Sequence, residues 1–161
     1  SSGINCIYAP NHSLMNKYVK ENAKINDIFI SVAAISDYIP KTTSGKLKKD
    51  NHRLSLELKQ SSDILLETSS EFNNLFCVGF SAESENIIKN AQAKLKNKHL
   101  DMIIANSINE SMGQNSAEIY IIDKNEVIHI PKRSKEELAS KILQHIYKLE
   151  NKKGSTHEHI N

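Results

Sequence analysis

Three short apolar runs constrain the fold of this chain more than any other feature. They are IFISVAA at 28–34, FCVGF at 76–80 and MIIA at 102–105. None of them alternates between apolar and polar residues, which is typical of strands buried on both faces in a parallel sheet. Helical patterns separate them, for example from Ser84, where Ile87, Ala91 and Leu95 share one face. The sequence therefore predicts an α/β three-layer sandwich with a Rossmann-like, mostly parallel sheet.

The C-terminal part changes pattern. Two apolar segments, 118–122 and 127–130, flank Asp-Lys-Asn-Glu and predict a β-hairpin. Ser134 and Glu137 have the spacing of a capping box, so a helix should follow. We predict one domain over residues 1–151, ending in this hairpin and helix, and a polar tail over 152–161.

Composition excludes several classes of function. The 161 residues carry 21 Lys plus Arg against 19 Asp plus Glu, a net charge of +2, which argues against a dedicated nucleic-acid binder. No apolar run is long enough to span a membrane, and no signal-like N-terminus is present, so we expect a cytoplasmic protein. Cys6 and Cys77 lie in apolar runs and should be buried free thiols. With five glycines and no G-x-G-x-x-G, a dehydrogenase domain is disfavoured.

Ligands of such sheets bind at the carboxyl ends of the strands, so the residues just after the apolar runs are candidates. Asp37 could accept from a ribose hydroxyl, or it could only begin a loop. Phe80 could flank a base, or it could only pack in the core. Lys94 and Lys98, four residues apart on one helix face, suit a polyphosphate but also an ordinary wet face.

A long polar loop over 37–53 carries a second group of lysines. Lys46, Lys48 and Lys49 lie within it, and such a loop could close over a triphosphate. The alternative is a solvated run of charges. After the loop, Asp63 is placed to cap a short helix.

Six motifs in order resemble phosphopantothenoylcysteine synthetase, the ligase of coenzyme A biosynthesis. They are AAISDY at 33–38, GKLKK at 45–49, SDIL at 62–65, VGFSAES at 78–84, KLKNK at 94–98 and DMIIAN at 101–106. In many bacteria this ligase is the C-terminal half of a bifunctional flavoprotein whose other half is a decarboxylase. The resemblance covers residues from about Ile4 to Glu150.

The resemblance implies an enzyme that ligates 4′-phosphopantothenate to cysteine, with CTP and Mg²⁺, through an acyl-cytidylate. It also implies a homodimer, to which the hairpin could contribute, and a decarboxylase half fused or bound to the ligase. No FMN is expected on this chain, and the magnesium ligands are left open. A second interpretation is a nucleotide-binding module, or an inactive fragment of such a ligase.

The resemblance also implies roles for individual residues. Lys46 matches the mobile-loop lysine linked to catalysis, and Ala33 matches a position whose backbone approaches the intermediate. The remaining matches are nucleotide-binding positions, namely Asp37, Lys46, Ser62, Asp63, Ile64, Leu65, Phe80, Lys94 and Lys98.

Two departures from the family pattern stand out. Ser62 replaces a usual proline, which backbone recognition tolerates. The family's Gly-rich first strand–loop–helix and its Asn-x-Ser-Ser-Gly segment have no counterpart before Ile4. We therefore expect the N-terminal portion of the synthetase domain to be absent from this sequence.

Overall fold

The computed structural model describes residues 3–41, 56–108 and 115–157, with side chains up to residue 151. The helices are α1 (His12–Ala23), α2 (Ile64–Glu71), α3 (Ile87–Asn97) and α4 (Lys135–His157). The strands are β1 (Ile28–Ser31), β2 (Tyr38–Pro40), β3 (Leu58–Gln60), β4 (Phe76–Glu83), β5 (Met102–Ser107), β6 (Ser116–Asp123) and β7 (Val127–Ser134).

The main sheet has five strands in the order β1-β4-β5-β6-β7. β1 pairs with β4 and β4 with β5 in parallel, whereas β6 is antiparallel to both of its neighbours. Four of the five strands therefore point the same way. β2 and β3 form a separate antiparallel pair. The carboxyl ends of β1, β4 and β5 meet at one edge of the sheet, which is the edge that positions a ligand site in this architecture.

Helices cover both faces of the sheet, so the predicted three layers are confirmed. Leu138, Ile142 and Ile146 of α4 pack on one face against β4, β5 and β6. On the other face, Ala91 and Leu95 of α3 pack against the opposite side of the same strands, beside residues from α1 and α2. Each strand of the sheet centre thus buries both of its rows of side chains, which is why its sequence does not alternate.

Local signals in the sequence define most element boundaries. The side chain of Asp63 caps α2 by accepting from the Leu66 amide at 3.0 Å, as predicted. Ser134 and Glu137 form the predicted capping box, with the Glu137 amide donating to Ser134 Oγ and the Ser134 amide to Glu137 Oε2. The predicted hairpin is also confirmed, because β6 and β7 pair across a turn at 123–126.

The run at 28–34 departs from its prediction. It forms a strand only over Ile28–Ser31, and this strand is the edge of the sheet. Ile28 is 40% exposed and Ile30 is 37% exposed, so the expectation of burial on both faces was wrong here. An edge strand has a neighbour on one side only, and among the described residues α4 packs over β6 and β7 rather than over β1.

The N-terminal apolar run that contains Cys6 is more exposed than expected. The segment before α1 forms no strand, and Ile4 and Tyr8 are largely exposed. Cys6 is therefore exposed, although we expected a buried thiol, whereas Cys77 is buried as expected. An apolar run becomes a strand only where a partner strand accepts its backbone hydrogen bonds.

Two helix boundaries differ from the prediction. The helix expected from Ser84 begins at Ile87, after Asn86 in the left-handed conformation with φ 50°. α4 continues to His157, into the segment that we assigned to a tail. The long polar loop contains β2, while residues 42–53 of it, including Lys46, Lys48 and Lys49, lie outside the described residues. Among the residues that are described, no helix is long and apolar enough to cross a membrane.

Candidate functional site

A cavity of about 160 Å³ lies at the carboxyl ends of β1 and β4. The chain leaves β1 into the segment 32–37, and it enters α2 from β3 through 61–63. Both connections border the cavity, together with the ends of β4 and α3. Its lining residues are Ser31, Ala33, Ile35, Ser36, Asp37, Gln60, Ser61, Ser62, Asp63, Ile64, Leu65, Phe80 and Lys98.

Most of the residues singled out in the sequence meet in this cavity. They come from four separate stretches of the chain, namely Ala33, Asp37, Ser62, Asp63, Ile64, Leu65, Phe80 and Lys98. Lys94 is not among the lining residues, and Lys46 lies outside the described residues. Folding thus brings together candidate residues that lie far apart in the sequence.

Asp63 and Lys98 form an ion pair at the cavity wall. Lys98 Nζ lies 2.8 Å from Asp63 Oδ2, while Asp63 Oδ1 accepts from the Leu66 amide. Burial raises the pKa of Asp63, but the hydrogen bonds from Lys98 and from the Leu66 amide outweigh burial and lower that pKa below its usual value. About a third of each side chain remains exposed. The pair is therefore charged, anchored to the start of α2 and open to a ligand.

Lys94 has a different partner. Its Nζ lies 2.5 Å from Glu83 Oε1 and 3.0 Å from Ser81 Oγ, at the end of β4. Asn90 also donates to Glu83. Burial raises the pKa of Glu83, but these hydrogen bonds, that from Lys94 first, lower it below its usual value. The two lysines of α3 lie one turn apart, yet each is held by a carboxylate from a different element.

Phe80 and Leu65 belong to the apolar part of the wall, and Leu65 also lies close to Gly79. Phe80 is 38% exposed, although it lies in a central strand. A Cβ added at Gly79 would lie 3.2 Å from Leu65 Cδ2 and 2.8 Å from Leu100 Cδ1. A larger residue would therefore press on Leu65, which lines the cavity, and on Leu100.

Backbone contacts hold the two bordering segments together. The Ser61 amide donates to the Asp37 carbonyl at 2.8 Å, and Ser61 Oγ donates to the Ser36 carbonyl. Sequence reasoning missed Ser31, Ile35, Ser36, Gln60 and Ser61, which also line the cavity. Ile35 and Ser36 lie within the AAISDY motif, whereas the other three lie just before recognised motifs. This position was the only available signal, since none of these side chains has a chemistry that marks a site.

The arrangement suits a ligand with a flat ring and an anionic group. An aromatic ring and aliphatic side chains meet a partly exposed ammonium and two carboxylates. The one cluster among the described residues with the composition of a metal site lies elsewhere: Asp123, Glu126 and His145. Asp123 pairs in register with Met102, the first residue of β5, so that cluster is at the opposite edge of the sheet.

A second polar cavity also lies at that opposite edge. It is lined by residues that include Ser69, Asn73, His99, Asp101 and Lys124. Asp101 begins the DMIIAN motif, but none of the candidate site residues borders this second cavity. Position in the sheet therefore favours the cavity at the carboxyl edge as the functional site.

Comparisons with known proteins identify the family of the chain. Residues 1–149 match the family model described as the DNA/pantothenate metabolism flavoprotein C-terminal domain. The coenzyme A biosynthesis bifunctional protein CoaBC of Borreliella burgdorferi is 34% identical over 149 residues, which are 90% of this chain and 38% of that protein. This chain thus spans less than half the length of that relative.

Two solved structures have the same fold. The crystal structure of the C-terminal domain of a CoaBC protein superposes with a TM-score of 0.71 at 27% identity, over 90% of this chain and 66% of that one. A Cab2 variant in complex with phosphopantothenate-cysteine superposes with a TM-score of 0.63 at 14% identity, over 81% of this chain and 49% of that one. The second match concerns the fold alone. With the family model matched over nearly the whole chain, this protein belongs to the family of DNA/pantothenate metabolism flavoprotein C-terminal domains.

Proposed function

We propose that this chain carries the nucleotide site of a CTP-dependent ligase that joins 4′-phosphopantothenate to cysteine in coenzyme A biosynthesis. One observation carries the proposal: eight candidate site residues from four stretches of the chain line a single cavity at the carboxyl edge of the sheet. The names of the relatives supply the pathway, and the sequence resemblance supplies CTP.

The reaction proceeds in two steps. A carboxylate oxygen of 4′-phosphopantothenate attacks the α-phosphorus of CTP. The bond between that phosphorus and the bridging oxygen breaks, and pyrophosphate leaves with its electron pair. The amine of cysteine then attacks the acyl carbon, CMP leaves, and the amine loses a proton. Neither step needs a covalent bond to the protein. Catalysis then depends on holding the reactants in place and on neutralising phosphate charge.

The side chains of the cavity suit this division of work. The ring of Phe80 and the α2 start at 62–65 would hold the cytosine, and the Asp37 carboxylate would accept from the ribose. Lys98, at the cavity wall, would neutralise phosphate charge, with Lys94 one turn away. Lys46, from the loop, would neutralise the charge that develops on the transferring group. Ala33 would bring its backbone close to the acyl-cytidylate.

Magnesium fits the same donors. Mg²⁺ prefers carboxylate and phosphate oxygens. Both oxygens of Asp63 already accept hydrogen bonds, from Lys98 and from the Leu66 amide, which leaves Asp37 as the lining carboxylate better suited to hold the ion. When bound with CTP, the ion would offset the triphosphate charge.

Further properties belong to the same proposal. The bifunctional name of the relatives supports a decarboxylase half, fused or bound to this domain. We also expect a homodimer to which the hairpin of β6 and β7 contributes, and a cytoplasmic location in keeping with a metabolic ligase.

A thermal-shift titration with CTP or ATP, each with Mg²⁺, tests the proposal. We expect CTP to stabilise the chain, by about 2.7 kcal/mol at a hundred times its Kd, and ATP to do so less. Lys98→Ala should weaken CTP binding about tenfold, because charge-assisted hydrogen bonds are among the strong ones. Lys141→Ala is the matched control, since it removes an exposed lysine of α4.

The outcomes separate the possibilities. An equal response to CTP and ATP would contradict the choice of nucleotide. No response to either, from a folded chain, would contradict the assignment of the site. Turnover with 4′-phosphopantothenate and cysteine distinguishes a ligase from a binding module, and for a ligase Lys46→Gln should keep CTP binding and lose turnover.

A further inference from the structure

Helix α1 places two polar side chains against the start of α2. His12 and Asn16 are four residues apart and therefore lie on the same face of α1. Both contact Ser62, which is fifty residues from His12 along the chain. No motif in the sequence had drawn attention to α1.

His12 holds the backbone of Ser62. Its Nε2 lies 2.8 Å from the Ser62 carbonyl oxygen. A carbonyl can only accept, so the ring nitrogen donates and Nε2 carries the hydrogen. The peptide group is planar and trans, so fixing this carbonyl toward α1 turns the Asp63 amide the opposite way. His12 thus sets the orientation of the peptide that leads into the cavity segment.

Asn16 holds the side chain of the same residue. Its Nδ2 lies 3.4 Å from Ser62 Oγ and 3.0 Å from Glu67 Oε2 in α2. The hydrogen bonds of Glu67 with Asn16, Lys20 and Ser62 lower the pKa of that carboxyl. The donor of Asn16 is therefore directed at a charged acceptor within the first turn of α2. The contact exists because position 62 is a serine, since a proline has no hydroxyl.

Lys98 holds the next residue from the other side. It pairs with Asp63, whose side chain also caps α2. The Ser62–Asp63 peptide is thus held between α1 and α3. Ser62 and Asp63 line the cavity, whereas the half-buried His12 does not.

We propose that His12 and Asn16 are positioning residues that orient the 62–65 segment for nucleotide binding. The proposal rests on the function proposed above, because it assumes that this segment contacts the nucleotide. It goes beyond that function by assigning a role to α1, none of whose residues is among those that line the cavity. A positioned segment has less conformational freedom to lose on binding, so it binds more tightly.

Five proteins test the proposal: the wild type, His12→Ala, His12→Gln, Asn16→Ala and Lys17→Ala. The amide of glutamine can take the place of the Nε2 donor, so His12→Gln is the conservative variant. Lys17 is an exposed residue of the same helix and serves as the matched control. We would measure the Kd for CTP, hydrogen exchange of the amides at 63–66 without ligand, and the urea midpoint.

We expect His12→Ala to raise the Kd about tenfold, which corresponds to the loss of one hydrogen bond. Exchange at 63–66 should become faster, while the urea midpoint should move no more than for Lys17→Ala. His12→Gln should restore both the Kd and the protection. Asn16→Ala should act in the same direction as His12→Ala.

Two results would overturn the proposal. One is that His12→Ala has the same amide exchange at 63–66 and the same Kd for CTP as the wild type. The other is a loss of affinity matched by a loss of global stability and not rescued by glutamine, which would make His12 merely structural. If the wild type fails to bind CTP, the proposed function fails, and the exchange data alone then decide whether His12 orients the segment.

Discussion

Two aspartates at opposite edges of the sheet form similar pairs in different surroundings. Asp63 caps α2 and pairs with Lys98, whereas Asp123 caps the β6–β7 turn through the Asn125 and Glu126 amides and pairs with His145 at 3.1 Å. The side chains of the first pair are 38% and 33% exposed, and those of the second are 3% and 8% exposed.

The difference in burial distinguishes a pair that is open to a ligand from a pair that is enclosed by the protein. The pKa of Asp123 is lowered as that of Asp63 is, because hydrogen bonds from the turn and from His145 outweigh burial. Yet the oxygens of Asp123 are enclosed by their partners, whereas Lys98 still faces a cavity. A shifted pKa alone would have marked both edges of the sheet as functional. Position and exposure decide between them.

The largest expected effect is at the buried pair. Asp123→Ala removes two turn hydrogen bonds and leaves His145 without its acceptor, so the free energy of unfolding should fall by about 3 kcal/mol. Urea denaturation measures this change. The Kd for CTP should remain that of the wild type. Glu126→Ala, which removes only an exposed 3.7 Å pair with Lys148, should change stability by about 0.5 kcal/mol or less. An equal loss of stability in both variants would contradict the larger contribution that we assign to the buried pair.

The next effect links the core to the cavity. In Gly79→Ala, the added Cβ would press on Leu100 Cδ1 at 2.8 Å and on Leu65 Cδ2 at 3.2 Å. We expect a loss of about 2 kcal/mol from overpacking. Because Leu65 lines the cavity, the affinity for CTP should also fall. Ala82→Ser, at an exposed position of the same strand, is the control. Unchanged CTP binding in a destabilised Gly79→Ala would show that Leu65 yields without closing the cavity.

A smaller effect is expected at the exposed pair. Asp63→Ala removes a helix cap and should cost about 1 kcal/mol. Asp63→Asn keeps the acceptor for the Leu66 amide and loses only the charge, so its cost should be smaller. At Asp123 the same change to asparagine should cost more, because a buried pair is little screened by water. Urea midpoints of the two asparagine variants compare the two edges directly, and equal midpoints would contradict the role given to burial.

The smallest effect concerns pH. Both aspartates have lowered pKa values in the folded protein. Each therefore adds stability above the unfolded aspartate pKa of about 3.9, and this stability is lost as the pH falls through the folded value. Asp123→Asn should flatten the decline of stability below about pH 4. Added salt should reduce the contribution of Asp63 more than that of Asp123. A steeper loss of stability at acid pH in Asp123→Asn would contradict a lowered pKa of Asp123.

Local chemistry explains what could be predicted. The strands β4 and β5, the hairpin, the cap at Asp63 and the capping box at Ser134 all follow from residues close together in sequence. Hydrophobic pattern, turn residues and caps act within a few residues, so they can be recognised before folding. The same holds for the candidate residues after the strands, since carboxyl ends of parallel strands share one edge.

Contacts between distant residues could not be predicted. The exposure of β1 depends on its position at the edge of the sheet. The apolar run at 28–34 does not reveal this position, because a central strand could have the same sequence. The pairs His145–Asp123 and His12–Ser62 join residues that are 22 and 50 positions apart. A lone histidine in a helix carries no sign of its partner.

The sequence by itself determined the α/β class, the order of strands and helices, and the candidate residues at the carboxyl ends. Only the tertiary structure decided which of those residues share a cavity, which lysine meets which carboxylate, and that α1 holds the start of α2. The physical reason is the range of the forces involved. Propensity and capping act along the chain, whereas burial and ion pairing depend on which surfaces folding brings together.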